Sequence, residues 1–364
     1  MRRTILCPLI LLGLFQSVGL GGAPVKRSRP AASRKKAVRK PPAVDPTIGD
    51  NVDGDDLTVR RAAVAALGMV NGSVVVADPS NGRILTMVNQ KLALQSGFTP
   101  CSTIKLVTSL AALNEGLIGR DTPVYIGRRL SFDLTTAVAH SNNPYFSILG
   151  NRLGFERVTY YARLLGLGEK AGLEIPGEQP GVIPDEPPKN GGVGMMTSFG
   201  EGFLVTPLEL AELVSGIANG GTLYYLQYPR TAEEIEHFTP KIKRTLEIPP
   251  AIFADLKTGM RGAVDFGTAR RANYDANEPI LGKTGTCTDF RVSSHMGWFG
   301  SFNDVGRHQL VVVVMLASTR AVSGPVAAGV AGNIYRNLSE QRYFAADISQ
   351  RGLPEVTTGF PTSR

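Results

Sequence analysis

Residues 102–115 read STIKLVTSLAALNE and are followed by Gly116. Ser102 is a good helix-capping residue type and Gly116 a good terminator, so the stretch predicts a helix. Ile104, Leu106, Val107, Leu110, Ala111 and Leu113 surround most of its circumference, and a helix apolar nearly all round is a buried one. Its first turn carries a hydroxyl and a lysine. Ser102 and Lys105 stand three apart and share a helix face, so the amine can meet the hydroxyl. A helix N-terminus favours developing negative charge. Burial lowers the pKa of a lysine, which can then accept a proton. Taken alone, the pair also reads as a capping serine followed by an ordinary lysine, and Ser33 with Lys36 repeats the spacing by chance. Burial of the helix weighs against that simpler reading, because a buried lysine needs a reason.

Outward from this helix, residues 72–78 and 83–88 are β-branched runs around Pro79-Ser80-Asn81-Gly82, the pattern of a hairpin with an Asn-Gly turn. Downstream, residues 131–168 read as helices. A Gly/Pro-rich loop follows at 172–195. Thr206-Pro207-Leu208-Glu209 is a capping box with proline at the first helical position, opening a helix to about Asn219. Another amphipathic helix covers 250–264. Strand signals follow at 280–287, 296–302 and 309–317, with a hairpin turn at Asn303-Asp304-Val305-Gly306. A closing helix spans 324–338. Early strands, a mostly helical middle and late strands imply an α+β domain. Its first and last segments share one antiparallel five-stranded sheet, flanked by helices, with a mostly helical subdomain.

Two more short motifs carry chemistry. Ser141-Asn142-Asn143 places a hydroxyl and a carboxamide on a turn between helices, where Ser141 can pass a proton and Asn143 can grip an amide. A plain helix cap is the simpler reading of this triplet alone. Ser301-Phe302-Asn303 has the same spacing but falls in the late hairpin. Lys283-Thr284-Gly285-Thr286 opens a strand, so Lys283 and Gly285 share one face. Gly285 leaves room for a substrate strand, and Thr284 and Thr286 offer hydroxyls. Lys257-Thr258-Gly259 is a decoy: Phe253, Leu256, Met260 and Val264 have helical spacing around it.

Ser102-x-x-Lys105, Ser141-x-Asn143 and Lys283-Thr-Gly-Thr286, in that order, resemble the motif set of the penicillin-binding and serine β-lactamase superfamily. GSVVVADPSNGRILTMV (72–88), SFGEGFLVTPLELA (198–211) and HMGWFGSF (295–302) are similar to segments of its transpeptidase branch, and the resemblance covers roughly residues 70–338. It implies a β-lactamase/transpeptidase-like fold and a serine D,D-transpeptidase or carboxypeptidase acting on the D-Ala-D-Ala ends of peptidoglycan stem peptides. Ser102 would be the nucleophile, Lys105 its base, and Ser141 the proton relay to the departing D-alanine. Lys283 would supply positive potential, Asn143, Thr284, Gly285 and Thr286 would bind substrate, and the backbone N–H groups of Ser102 and Thr286 would form the oxyanion hole. Such donors contribute roughly 3–4 kcal/mol each to a transition state. β-Lactams would act as inhibitors by forming a lasting acyl group. Cys101 and Cys287 stand where the family commonly has glycine and alanine. If the first and third motifs meet, these cysteines become neighbours, either as two buried thiols, the simpler reading, or as a disulfide.

The resemblance leaves two other readings. A β-lactamase shares the fold, and a class A enzyme would need a glutamate-directed water. Glu178 and Glu186 lie in the right general stretch without a recognisable motif. A non-catalytic penicillin-binding sensor or scaffold is the alternative outside enzymology.

Composition bounds the rest. The chain has 364 residues and a formal net charge of +8. Its basic excess lies in Arg2, Arg3 and eight Lys/Arg within 26–40, and the remainder is slightly acidic, so no nucleic-acid groove is indicated. The basic run can touch anionic lipid or wall polymers, or simply remain a solvated linker. Residues 1–23 read as a signal peptide or membrane anchor and place the protein outside the cytoplasm. Residues 24–57 read as a Pro-rich basic linker, 58–340 as the transpeptidase domain and 341–364 as a peripheral tail. Histidines 140, 237, 295 and 308 and the dispersed cysteines show no ligand spacing, so no metal and no cofactor is expected.

Overall fold

The computed structural model describes residues 44–304, 308–319 and 322–345. The expected signal or anchor segment, the basic run 26–40 and the Ser33/Lys36 coincidence lie outside the described residues, as does the chain from 346 onward. No helix among the described residues is long and apolar enough to cross a membrane.

Helix α1 (Leu57–Leu67) precedes the hairpin of β1 (Gly72–Ala77) and β2 (Ile84–Val88), whose Asn81-Gly82 turn puts Gly82 at φ 78°. Helix α2 (Gln90–Leu94), a 3-10 turn over Cys101–Ile104 and α3 (Lys105–Asn114) follow. A small ribbon, β3 (Val124–Tyr125) with β4 (Ser131–Phe132), leads into α4 (Leu134–Ala139) and α5 (Asn143–Leu164). Helix α6 (Gly192–Phe199) precedes α7 (Pro207–Asn219), which starts in the expected capping box between Thr206 and Glu209. A second ribbon pairs β5 (Thr222–Tyr224) with β6 (Ile242–Thr245), with α8 (Ala232–Glu236) between them. Helix α9 (Pro250–Asp265) then leads to β7 (Ile280–Asp289), β8 (Ser294–Asn303), β9 (Val311–Ser318) and α10 (Gly324–Glu340).

The main sheet is five-stranded in the order β2-β1-β9-β8-β7, antiparallel throughout. The two terminal portions of the sequence thus share it, and β7, which carries Lys283, is an edge strand. Strand β9 is buried along nearly its whole length because both faces are covered. Val311, Val313 and Met315 enter one core with α3, α5 and α7, whereas Val312, Val314 and Leu316 enter the other with α1 and α10. The period of two sorts one apolar run onto two layers.

Two boundaries differ from the sequence reading. Asp50 and Asp55, within the expected linker, are anchored to the domain, although much of 44–53 is exposed. Arg60, 7 % exposed on α1, needs counter-ions, and Asp50 and Asp55 supply them at 2.8 and 2.9 Å. The Asp-rich composition that reads as linker is the acid half of that cluster. The start of the tail is also packed: Tyr343 and Phe344 are buried, and Tyr343 Oη donates to Asp56 Oδ2 at 2.9 Å.

Candidate active site

The start of the central helix is not the capped α-turn expected. Cys101–Ile104 forms a 3-10 turn with no side-chain cap, and the α-helix begins at Lys105. A 3-10 turn has three residues per turn, so Ser102 and Lys105 still lie above one another. Because Ser102 caps nothing, its hydroxyl is available. The residue is partly exposed between buried neighbours, and its Oγ donates to the Ser198 carbonyl at a long 3.4 Å. The direct Ser102–Lys105 hydrogen bond expected from the spacing is not among those made by the described residues.

Lys105 is fully buried. Its Nζ donates to the Ser141 carbonyl at 2.8 Å and to Asn143 Oδ1 at 2.5 Å, lies 3.0 Å from Ser141 Oγ, and sits 5.3 Å from the centre of the Phe146 ring. Desolvation, helped by the nearby charge of Lys283, pushes its pKa down to about 6. Lys283 is also fully buried; its Nζ lies 2.9 Å from Ser141 Oγ and donates to the Thr284 carbonyl at 2.9 Å. Desolvation lowers it to about 7.

Ser141 occupies the bend between α4 and α5 at φ 55°. The capping job in this triplet falls to Asn142, whose Oδ1 accepts from Tyr145 N at 2.9 Å. That division leaves Ser141 and Asn143 for other partners. Asn143 spends its carbonyl oxygen on Lys105, which leaves its NH2 as a donor.

On β7, Lys283, Gly285 and Cys287 share the face toward the 3-10 turn. Gly285 is required there: a Cβ would lie 2.9 Å from the Pro100 carbonyl oxygen and 3.2 Å from Cys101 Cβ. The room over Gly285 is therefore filled by the protein's own turn, not kept for a substrate strand. Thr284 is also placed differently from expectation. It is 4 % exposed, and its Oγ1 pairs with Thr268 Oγ1 at 2.6 Å. Thr286 is exposed, and its hydroxyl accepts from Gly324 N at 2.8 Å, which leaves the proton free to donate. Cys101 and Cys287 form a disulfide, Cα–Cα 5.5 Å, rather than two thiols. Contact between the turn and β7 across Gly285 brings them together.

The decoys are structural. Lys257 lies in α9 and donates to the Ala218 carbonyl at 2.8 Å, and Ser301 Oγ is buried against the Val312 carbonyl. Glu178 is buried with its carboxylate on the N–H groups of Ala171 and Gly172; Glu186 is exposed. Residues that sequence reasoning passed over are Ser198, Thr268, Thr99 and Asp289. Ser198 is 1 % exposed and its Oγ donates to the Asn143 carbonyl at 3.0 Å, joining two motifs. The only signal for it was its place at the head of the 198–211 segment. No group of His, Cys, Asp and Glu among the described residues has metal-site geometry.

Comparison with known proteins agrees with this geometry. The family model described as the penicillin binding protein transpeptidase domain matches residues 72–336. Stage V sporulation protein D of Bacillus subtilis is 30% identical over 319 residues, covering 73% of this chain and 49% of the relative. Peptidoglycan D,D-transpeptidase MrdA of Haemophilus influenzae is 24% identical over 369 residues, covering 80% of this chain and 54% of the relative. The chain thus spans about half the length of these relatives. Among solved structures, the TP domain of Burkholderia pseudomallei penicillin-binding protein 3 superposes with TM-score 0.67 at 20% identity, covering 79% of this chain and 96% of that one. Pseudomonas aeruginosa PBP2 in complex with WCK 5153 gives TM-score 0.67 at 22% identity, covering 85% and 81%. A match over most of the chain, on a fold shared with these domains, makes the chain a member of the penicillin-binding protein transpeptidase family.

Proposed function

We propose that this chain is a serine D,D-transpeptidase or carboxypeptidase that works outside the cytoplasm on peptidoglycan stem peptides ending in D-Ala-D-Ala. One observation carries the reading: Ser141 Oγ lies 3.0 Å from Lys105 Nζ and 2.9 Å from Lys283 Nζ, so all three motifs meet at one hydroxyl.

The chemistry follows from the protonation states. Near neutral pH Lys105 is largely the free amine. Its lone pair takes the Ser102 proton as Oγ, turned about χ1 from Ser198, attacks the carbonyl between the two D-alanines. The backbone N–H groups of Ser102 and Thr286 receive the developing oxyanion. The proton passes from Lys105 through Ser141 to the nitrogen of the departing D-alanine, the C–N bond breaks, and an ester to Ser102 remains. An acceptor amine or water then attacks that ester and regenerates the hydroxyl. The Asn143 NH2 grips a stem-peptide carbonyl. Lys283 and the Thr286 hydroxyl hold the terminal carboxylate. A β-lactam offers the same carboxylate and acyl carbon but keeps its leaving group tethered.

The test is labelling of the full chain with fluorescent penicillin, beside Ser102→Ala. Stable label on the wild type and none on the variant is the expected result. Label that vanishes within seconds moves the reading to a β-lactamase. A folded wild type that takes no label overturns it in favour of a binding scaffold.

A further inference from the structure

The segment Thr99–Cys101 delivers Ser102 to the cleft, yet among the described residues no backbone–backbone hydrogen bond joins 99–104 to β7. Side chains tie it to β7 and β8 instead. Trp298 Nε1 donates to the Thr99 carbonyl at 3.0 Å. Thr99 N and Oγ1 both donate to Asp289 Oδ2 at 3.2 Å, and Arg291 Nη2 steadies that carboxylate at 2.6 Å. The last link is the covalent bridge from Cys101 to Cys287. These two residues directly flank Ser102 and Thr286, the proposed oxyanion donors.

Cys101 itself has φ 52°. That left-handed conformation suits glycine and disfavours a residue with a Cβ. Rotation about this φ swings the peptide that carries the Ser102 N–H. We propose that the Cys101–Cys287 bridge is a positioning device for acyl transfer: it holds Cys101 in the left-handed region and so fixes the Ser102 N–H opposite that of Thr286. This rests on the acyl-transfer reading above. Without the bridge, Cys101 relaxes toward negative φ, the donor turns aside, and the hole widens at the moment it must receive charge.

The experiment compares acylation rate constants of the full chain toward fluorescent penicillin in four forms. These are the wild type, the wild type reduced by a water-soluble phosphine, Cys101→Ala/Cys287→Ala and Cys101→Gly/Cys287→Ala. The phosphine cleaves the S–S bond to two thiols and takes its oxygen from water, and a rise of two in the thiol count verifies the reaction. Reduction and the alanine pair should each slow acylation about 10- to 100-fold, below the loss of a whole oxyanion donor. The glycine pair should return to within about threefold of the wild type, because glycine adopts the required φ without a bridge. A bridge that only stabilised the fold predicts the opposite ranking. Both pairs lose it equally, and glycine adds unfolded-state freedom, so the glycine pair would be no faster. Equal rates for the two pairs, or an unchanged rate after verified reduction, overturn the proposal. Should the alanine pair fail to fold, reduction of the folded wild type decides. An oxidised wild type that takes no label removes the acyl-transfer reading, and the proposal with it.

Discussion

Among the described residues, two of the groups of buried ionisable side chains are kept in place in different ways. Lys105 and Lys283 share the Ser141 hydroxyl, and their other hydrogen-bond partners are carbonyl oxygens. Among the described residues neither has a carboxylate within ion-pair distance. The second group underlies the loop 166–181. Glu178 and Glu209 are each held by backbone N–H groups, and Glu212 pairs through Oε2 with Lys243 at 3.1 Å while its Oε1 lacks a hydrogen bond. Burial without a counter-ion disfavours charge, so Lys105 ends as an amine ready to take a proton. Burial with fixed donors turns a carboxylate into a staple for the loop. Depth alone does not mark a catalytic group; the supply of partners does.

The sharpest way to break this contrast is Lys105→Arg. Arginine keeps the size and the donors but cannot become neutral. If Lys105 works as a free amine, acylation by fluorescent penicillin should fall by at least about 10³-fold, within the range for a lost general base, while circular dichroism stays that of the wild type. Acylation within tenfold of the wild type would mean that Lys105 serves only as a cation.

The pH profile is the next largest effect. Lys105 must be neutral, so acylation should fall as pH drops through about 6. Lys283 must be charged to hold a carboxylate, so ligand binding should weaken as pH rises through about 7. Together they give a bell with its optimum between the two limbs. Lys283→Met removes the neighbouring cation that helps to depress Lys105, so the acidic limb should move to higher pH. Affinity for a carboxylate-bearing ligand should drop about 10- to 100-fold, the worth of a hydrogen bond to a charged group. An acidic limb that stays put in this variant would show that the two amines do not feel each other.

The same Lys-Thr-Gly triplet occurs twice, and this pair shows how far sequence carries. At 257–259, Phe253, Leu256, Met260 and Val264 repeat at helical spacing, and all four are buried as that period requires. At 283–285 the surroundings read as strand, and β7 is one. Periodicity therefore distinguished the two and placed all three motifs in order. It did not say which face of β7 fronts the cleft. Alternation groups Lys283 with Gly285 and Thr284 with Thr286, but only tertiary packing shows Thr284 turned to Thr268 and Pro100 seated over Gly285. Asp50 and Asp55 pair with Arg60 through tertiary approach, so local composition reads that segment as linker. Ser198 joins the Ser102 and Asn143 motifs from a separate helix, and only its place at the head of the 198–211 segment announces it.

The smallest predicted effect tests the other half of the contrast. Glu209 is fully buried; its Oε1 accepts from Gly168 N and Gly181 N at 2.9 Å and its Oε2 from Thr206 N at 2.7 Å. Desolvation lifts its pKa to about 7 despite those donors. A carboxyl raised above its unfolded value of about 4.3 contributes stability that is full below that value and is lost as pH rises through about 7. Glu209→Gln cannot titrate, so that part of the pH slope should vanish from urea unfolding measured at pH 5 and pH 8. With the amide oxygen on the two glycine donors, the NH2 faces Thr206 N–H. The variant should therefore lose about 1–3 kcal/mol, the cost of a buried donor left unpaired. Acylation per folded molecule should stay within about twofold, because the loop staple does not touch the Ser141 hydroxyl. If Glu209→Gln instead slowed acylation as the lysine variants do while its unfolding curves matched the wild type, the carboxylates would belong to the catalytic network, and the division between expelled and stapled charge would fail.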